Sequence, residues 1–193
     1  MDVTIKQILE DLEKRQTPHR YRHTVSVMYT AAALCMNYHV DVYKGMLAGA
    51  LHDCGKLIEI KDYISQCQMY QIAISDDEMK APQLLHAHLG AYFTRERYFI
   101  SDDEVLHAIK VHTTGSPNMN LLDKIIFVAD YIEPHRVTSS RLDELRELAF
   151  KDLDKCILLI IEETLDYLKR KNYYVGKATI ETYNYYKKGE NYE

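Results

Sequence analysis

LAGALHDCGK, residues 47–56, ends an apolar run of small residues on an imidazole and a carboxylate side by side, His52 and Asp53. Burying that pair costs several kcal/mol or more unless something neutralises both groups, and a metal ion is the usual partner. The stretch also reads as a central helix. Asp41 can cap its start, and Gly45, Ala48, Gly49 and Ala50 let a neighbouring backbone come close.

Working outward, further ligand-type residues lie on or beside helical patterns: His23 upstream, then His86, His112 and Asp130 downstream. Ile5, Ile8, Leu9 and Leu12 form one stripe of a first helix. Thr17-Pro18 reads as an N-cap and an N1 proline opening a helix to about Asn37. Ser75-Asp-Asp-Glu78 and Ser101-Asp-Asp-Glu104 read as capping boxes, the second opening a helix toward His112. Pro82 divides the region between them, and His86 starts a helix to about Tyr98. Gly115-Ser-Pro117 opens a loop, and Leu121 to Ile132 is a strongly apolar helix carrying Asp130. Helices near 140–150, 152–171 and 177–188 complete the chain, and the last residues, KGENYE, read as frayed. No strand-like alternation, repeat or long linker interrupts this. The expectation is a single all-α domain over 1–193, of eight to ten helices, with a motif core at about 18–136.

Composition narrows the function classes. A net charge of −5 disfavours a general nucleic-acid binder. Cys35, Cys54, Cys67 and Cys156 form no CxxC pair and read as reduced core thiols. The N-terminal MDVTIKQILEDLEKRQ is a charged amphipathic helix, and the apolar run CILLII is too short to span a bilayer. The expectation is a cytoplasmic protein with no membrane partner. The 16 tyrosines offer aromatic area for a possible homodimer.

Four imidazoles and two carboxylates (His23, His52, Asp53, His86, His112 and Asp130) exceed the roughly three protein ligands of one open catalytic metal. They suit two ions sharing one carboxylate, with Asp53 as the natural bridge. Donors without thiolate fit iron, manganese, zinc or nickel. Two such ions can bring a hydroxide and a phosphoryl oxygen together for in-line attack. Lys56, one turn beyond His52, is placed to contact a phosphate or stabilise the leaving oxygen. Arg20, Arg22 and Arg136 are candidates to clamp phosphates bidentately. Glu133 shares a helical face with Asp130, and reads equally as a neighbour of the ligands or a surface carboxylate. His88 lies two residues from His86 and faces elsewhere on a helix; His19, His39, His107 and His135 lack comparable context. Tyr183, Tyr185 and Tyr186 read as helix packing.

RYRHTVSV (20–27), ALHDCGK (50–56), LLHAHLGA (84–91), AIKVHTTGSPNM (108–119) and LDKIIFVADYIEPHR (122–136) together resemble the HD-domain superfamily of metal-dependent phosphohydrolases. Within it they resemble the bacterial YqeK-type symmetrical bis(5'-nucleosyl)-tetraphosphatases. The resemblance implies an all-α HD fold, a di-iron centre, and cleavage of diadenosine tetraphosphate into two ADP. It implies that His23, His52, Asp53 and Asp130 hold one metal, and that Asp53, His86 and His112 hold the other. It also implies that Lys56, Thr114, Gly115, Glu133 and Arg136 line the substrate pocket. Cys54-Gly55 departs from the pattern, where a small residue and then Ala are expected. His88 stands where a non-ligand such as Pro is expected, so the choice between His86 and His88 stays open. Two readings stand beside this one. Other HD enzymes act on nucleoside monophosphates, deoxynucleoside triphosphates, guanosine 3'-pyrophosphates or cyclic dinucleotides, the last disfavoured by the lack of a GYP motif. The other is a non-catalytic nucleotide-binding regulator, whose expected mark would be a missing ligand.

Overall fold

The computed structural model of the protein describes residues 3–137 and 139–189. Among them are eleven α-helices and no strand: α1 Ile5–Arg15, α2 Pro18–Asn37, α3 Val42–Leu51, α4 Tyr63–Met69, α5 Asp76–Lys80, α6 Leu85–Glu96, α7 Asp103–Val111, α8 Leu121–Ile132, α9 Leu142–Leu148, α10 Leu153–Arg170 and α11 Lys177–Gly189. Short 3₁₀ turns at Cys54–Leu57, Ile60–Asp62 and Pro82–Leu84 join some of them. The all-α expectation holds. The helix number exceeds eight to ten because α4, of 7 residues, is too short to register as a period.

Side-chain caps set the starts of most of the longer helices. Thr17 Oγ1 accepts from Arg20 N at 3.3 Å with Pro18 in the first turn, and Asp41 Oδ1 accepts from Tyr43 N at 2.8 Å. The Ser75–Glu78 capping box forms as expected. The Ser101 box does not. Asp102 caps α7 instead, accepting from the N–H groups of Glu104 and Val105, while Glu104 pairs with Lys44. A carboxylate one residue nearer the helix outcompetes the serine. Asn120 and Asp123 form a further capping box at the start of α8. Lys188 and Gly189 belong to α11, and residues 190–193 of the expected frayed end lie outside the described residues.

Helix α8 is the structural centre. Leu122, Ile125, Ile126, Val128, Ala129 and Ile132 are all buried, and α2, α7 and α10 pack around it. A helix apolar on nearly every face belongs inside a protein. Helix α3 lies close along α2: a Cβ on Gly49 would stand 2.9 Å from Met28 Cα, so the contact requires glycine. A second, smaller apolar cluster joins Tyr63 and Cys67 of α4 to Leu85 and Leu89 of α6, and Phe93 of α6 packs against both it and the main core. No helix among the described residues is long and apolar enough to cross a membrane.

Candidate metal centre

Five helices deliver the six ligand-type side chains to one place. His23 comes from α2, His52 and Asp53 from the end of α3, His86 from the first turn of α6, His112 from the end of α7, and Asp130 from α8. The turn after α3 is tight because α6 crosses it. A Cβ on Gly55 would stand 2.0 Å from the His86 carbonyl oxygen and 2.8 Å from Gly90 N. The Gly in place of the expected Ala is therefore what this crossing demands.

Each imidazole is held by its Nδ1 and presents its Nε2. His52 Nδ1 donates to the Gly49 carbonyl at 2.7 Å, His86 Nδ1 to that of Gln83 at 2.5 Å, and His112 Nδ1 to that of Ile109 at 2.7 Å. All three use the carbonyl three residues back. His23 Nδ1 donates instead to Glu133 Oε1 at 3.2 Å. Since carbonyls only accept, the proton on His52, His86 and His112 sits on Nδ1 and leaves Nε2 as a lone pair, whereas His23 has a carboxylate at each nitrogen, Glu133 at Nδ1 and Asp130 at Nε2. The four Nε2 atoms converge. His23 and His52 Nε2 lie 3.3 Å apart, and His86 and His112 Nε2 lie 3.2 Å apart. Two acceptors facing each other at that range attract a shared cation.

The carboxylates complete two groups. His23 Nε2 lies 3.0 Å and His52 Nε2 3.7 Å from Asp130 Oδ1. Asp53 Oδ1 stands 3.5 Å from His86 Nε2 and 3.6 Å from His112 Nε2, while its Oδ2 stands 3.7 Å from His52 Nε2. The two oxygens of Asp53 thus face different groups. Ligand atoms bonded at about 2.0–2.2 Å to one ion sit roughly 3.0–3.4 Å apart, close to these separations. Lys56 Nζ is 2.8 Å from each Asp53 oxygen but is aligned as a hydrogen-bond donor only to Oδ2. Oδ1 is buried with no hydrogen bond among the described residues.

The electrostatics favour neutral, ligating imidazoles at His52 and His86, and charged carboxylates at Asp53 and Asp130. Burial pushes His52 down to about 4, against the pull of Asp53 and Asp130. Burial, with Lys56 nearby, pushes His86 down to about 3. Both are neutral imidazoles at neutral pH. Burial alone would raise Asp53, but His52, His112 and Lys56 outweigh it and hold the carboxyl well below its usual range. Asp130 is held low in the same way by His23, His52 and Arg136. His23 goes up: burial opposes the shift, and Asp130 and Glu133 override it. The sulfur of Cys54 donates to the Gly90 carbonyl and its thiol is pushed up to about 12 by burial, so no thiolate joins the set. These His and Asp groups are compatible with divalent metal binding.

His88 faces away and pairs with Glu78 Oε1 at 2.5 Å, so within HAH it is His86 that joins the cluster. Arg20, Arg22, Lys56, Glu133 and Arg136 all line a cavity of about 1290 Å³ that opens onto His23, Asp53 and His86. The Glu133 carboxylate is spent on His23 and on the backbone N–H of His135, so it steadies the cluster more than it faces the opening. Arg136 donates to Asp130 Oδ1 at 2.8 Å. Thr114 and Gly115 do not line the cavity. Thr114 bonds the Gly115 carbonyl, and Gly115 packs on Thr182 of α11. Thr113 takes their place, its hydroxyl 3.2 Å from His86 Nε2 and 3.1 Å from His112 Nε2. The sequence held a signal for it, a hydroxyl directly after a ligand, but α7 ends at Val111 and the direction of the next residues follows no helical period. His19 and His135 also line the cavity, though neither joins the cluster.

Comparison with known proteins agrees with the geometry. The HD domain profile matches residues 20–135. A symmetrical bis(5'-nucleosyl)-tetraphosphatase of Halalkalibacterium halodurans is 40% identical over 176 residues, 91% of this chain and 93% of that protein. One from Bacillus subtilis is 37% identical, over 93% of this chain and 96% of its own length. The crystal structure of a Clostridium acetobutylicum protein described as a predicted HD superfamily hydrolase involved in NAD metabolism superposes with a TM-score of 0.92 at 36% identity, over 96% of this chain and 98% of that one.

Proposed function

The chain belongs to the HD-domain family, and on that footing we propose that it is a symmetrical bis(5'-nucleosyl)-tetraphosphatase, hydrolysing diadenosine tetraphosphate to two ADP. The observation that carries this reading is the convergence of four imidazole Nε2 atoms and two carboxylates beside a cavity that His23, Asp53 and His86 line together with Arg20, Arg22, Lys56 and Arg136. That volume, about 1290 Å³, exceeds the usual 300–1,000 Å³ of small-ligand sites and suits a long substrate.

In this proposal two ions bind. His23, His52, Asp53 and Asp130 would hold the first, and Asp53, His86 and His112 would hold the second. Iron is the metal proposed, and manganese, zinc or nickel share its preference for these donors. When bound, such ions supply Lewis-acid charge at a phosphoryl oxygen and a water acidic enough to act as nucleophile. The rest falls to the chain's own residues. Arg20, Arg22 and Arg136 draw in and orient the polyphosphate. Lys56, beside Asp53, offsets charge developing on the departing ADP oxygen. Glu133 and the three backbone carbonyls keep each imidazole in its binding tautomer. Symmetric cutting follows if the cavity measures one nucleoside diphosphate from the cluster. We propose that the chain works as one HD-type domain in the reducing cytoplasm, supported by four buried, unpaired cysteines. Exposed aromatics such as Tyr29 and Phe99 would serve the homodimer expected from the sequence.

The test is product analysis by anion exchange, with protein purified anaerobically and assayed with iron or manganese in reducing buffer. ADP as the sole product from diadenosine tetraphosphate is the expected result. AMP with ATP contradicts symmetric cutting. Tight nucleotide binding without turnover selects the regulator, and faster turnover of another nucleotide moves the substrate assignment.

A further inference from the structure

A second hollow, of about 450 Å³, lies against the large cavity and shares Arg22 and His135 with it. One face of α2 builds its wall. Pro18, Tyr21, Arg22 and Val25 follow one another at helical spacing, one stripe over from His23. Gln16, at the end of α1, closes the hollow and is only 8% exposed. Its Oε1 accepts from Thr24 Oγ1 at 3.1 Å, which fixes the amide and leaves Nε2 as a donor. That Nε2 is buried and has no hydrogen bond among the described residues. Buried donors are seldom left so, and one lining a hollow asks for an acceptor from a ligand.

We propose that this hollow seats the distal nucleoside of the substrate, the half that leaves over the rim while the other half fills the main cavity. The proposal rests on the dinucleoside tetraphosphate reading. A substrate with two identical ends must put its second base somewhere, and the hollow continues from the rim at the two residues both spaces share. Its chemistry is that of a purine site. Tyr21 offers an aromatic ring to stack on, Pro18 and Val25 offer apolar contact, and Gln16 Nε2 offers a donor to a ring nitrogen. Arg22 stands where the connecting phosphates would cross.

The test compares two ligands on the metal-loaded full-length protein by titration calorimetry: ADP, and a methylene-bridged, non-hydrolysable analogue of diadenosine tetraphosphate. Wild type is expected to prefer the dinucleotide. Tyr21→Ala, Gln16→Leu and Val25→Trp, which fills the hollow, are each expected to cut that preference about 10-fold while ADP affinity moves less than about 2-fold. Should Gln16→Leu fail to fold, the other two variants carry the test. Undiminished preference in Tyr21→Ala and Val25→Trp overturns the subsite, as does a parallel loss for ADP. Symmetric cleavage by wild type together with that result sinks only the subsite. A wild type that does not cleave the dinucleotide sinks the functional reading and the subsite with it.

Discussion

Asp53 concentrates the chemistry of the site. It is buried, remains charged, and turns its two oxygens toward different sets of imidazoles. Only one of those oxygens has a hydrogen bond. A buried carboxylate in that state is costly unless cations meet it. Asp53→Ala is therefore expected to lower metal content from two ions per chain to one or none and to cut turnover by about 10³-fold or more. Elemental analysis and the ADP assay check this, and two retained ions with near-native turnover would remove Asp53 as bridge. The cost of burying His52-Asp53 was visible in the bare sequence, because adjacent polar groups in LAGALHDCGK stand out against their surroundings. The choice of Thr113 over Thr114 was not visible. Both residues lie past the last regular turn of α7, where side-chain direction depends on backbone angles that no periodicity encodes.

At the scale of elements, the centre depends on how closely helices can approach. The α3 turn and α6 touch through Gly55, with the His86 carbonyl where a side chain would begin. Backbone cannot swing aside as a side-chain tip can. Gly55→Ala is expected to lower the melting temperature by about 5–10 °C, from roughly 2–3 kcal/mol of overpacking in a chain of this size. Thermal unfolding measures it, and a change within about 1 °C would show that the crossing is looser than described. Helix starts were legible where a capping residue stood alone, as at Thr17 and Asp41. They were ambiguous where candidates competed. Ser101 and Asp102 are both good caps, and the one directly before the first turn of α7 takes the role. Cys54-Gly55 looked like a departure from pattern until α6 was in place to explain it.

For the whole molecule, five helices far apart in sequence bring candidate ligands to one point, so on the two-ion proposal metal binding and folding would be coupled. Stripping the ions is expected to lower the melting temperature by about 10 °C, as follows from roughly 3–4 kcal/mol of linkage at saturating metal. Scanning calorimetry with and without chelator checks it, and identical transitions would mean that the ligands need no ion to hold them. The small apolar cluster between α4 and α6 has a further consequence. The three candidate ligands His23, His52 and Asp130 stand on α2, the end of α3 and α8, which share the main core. His86 instead sits in the first turn of α6, beside Leu85 and Leu89 of that small cluster, while Ala91 and Phe93 farther along the helix pack on the main core. A satellite of four buried side chains opens more readily than a core. The two ions should then leave on different clocks, the one beside His86 first, and a chelator chase should trace two exponentials of equal amplitude.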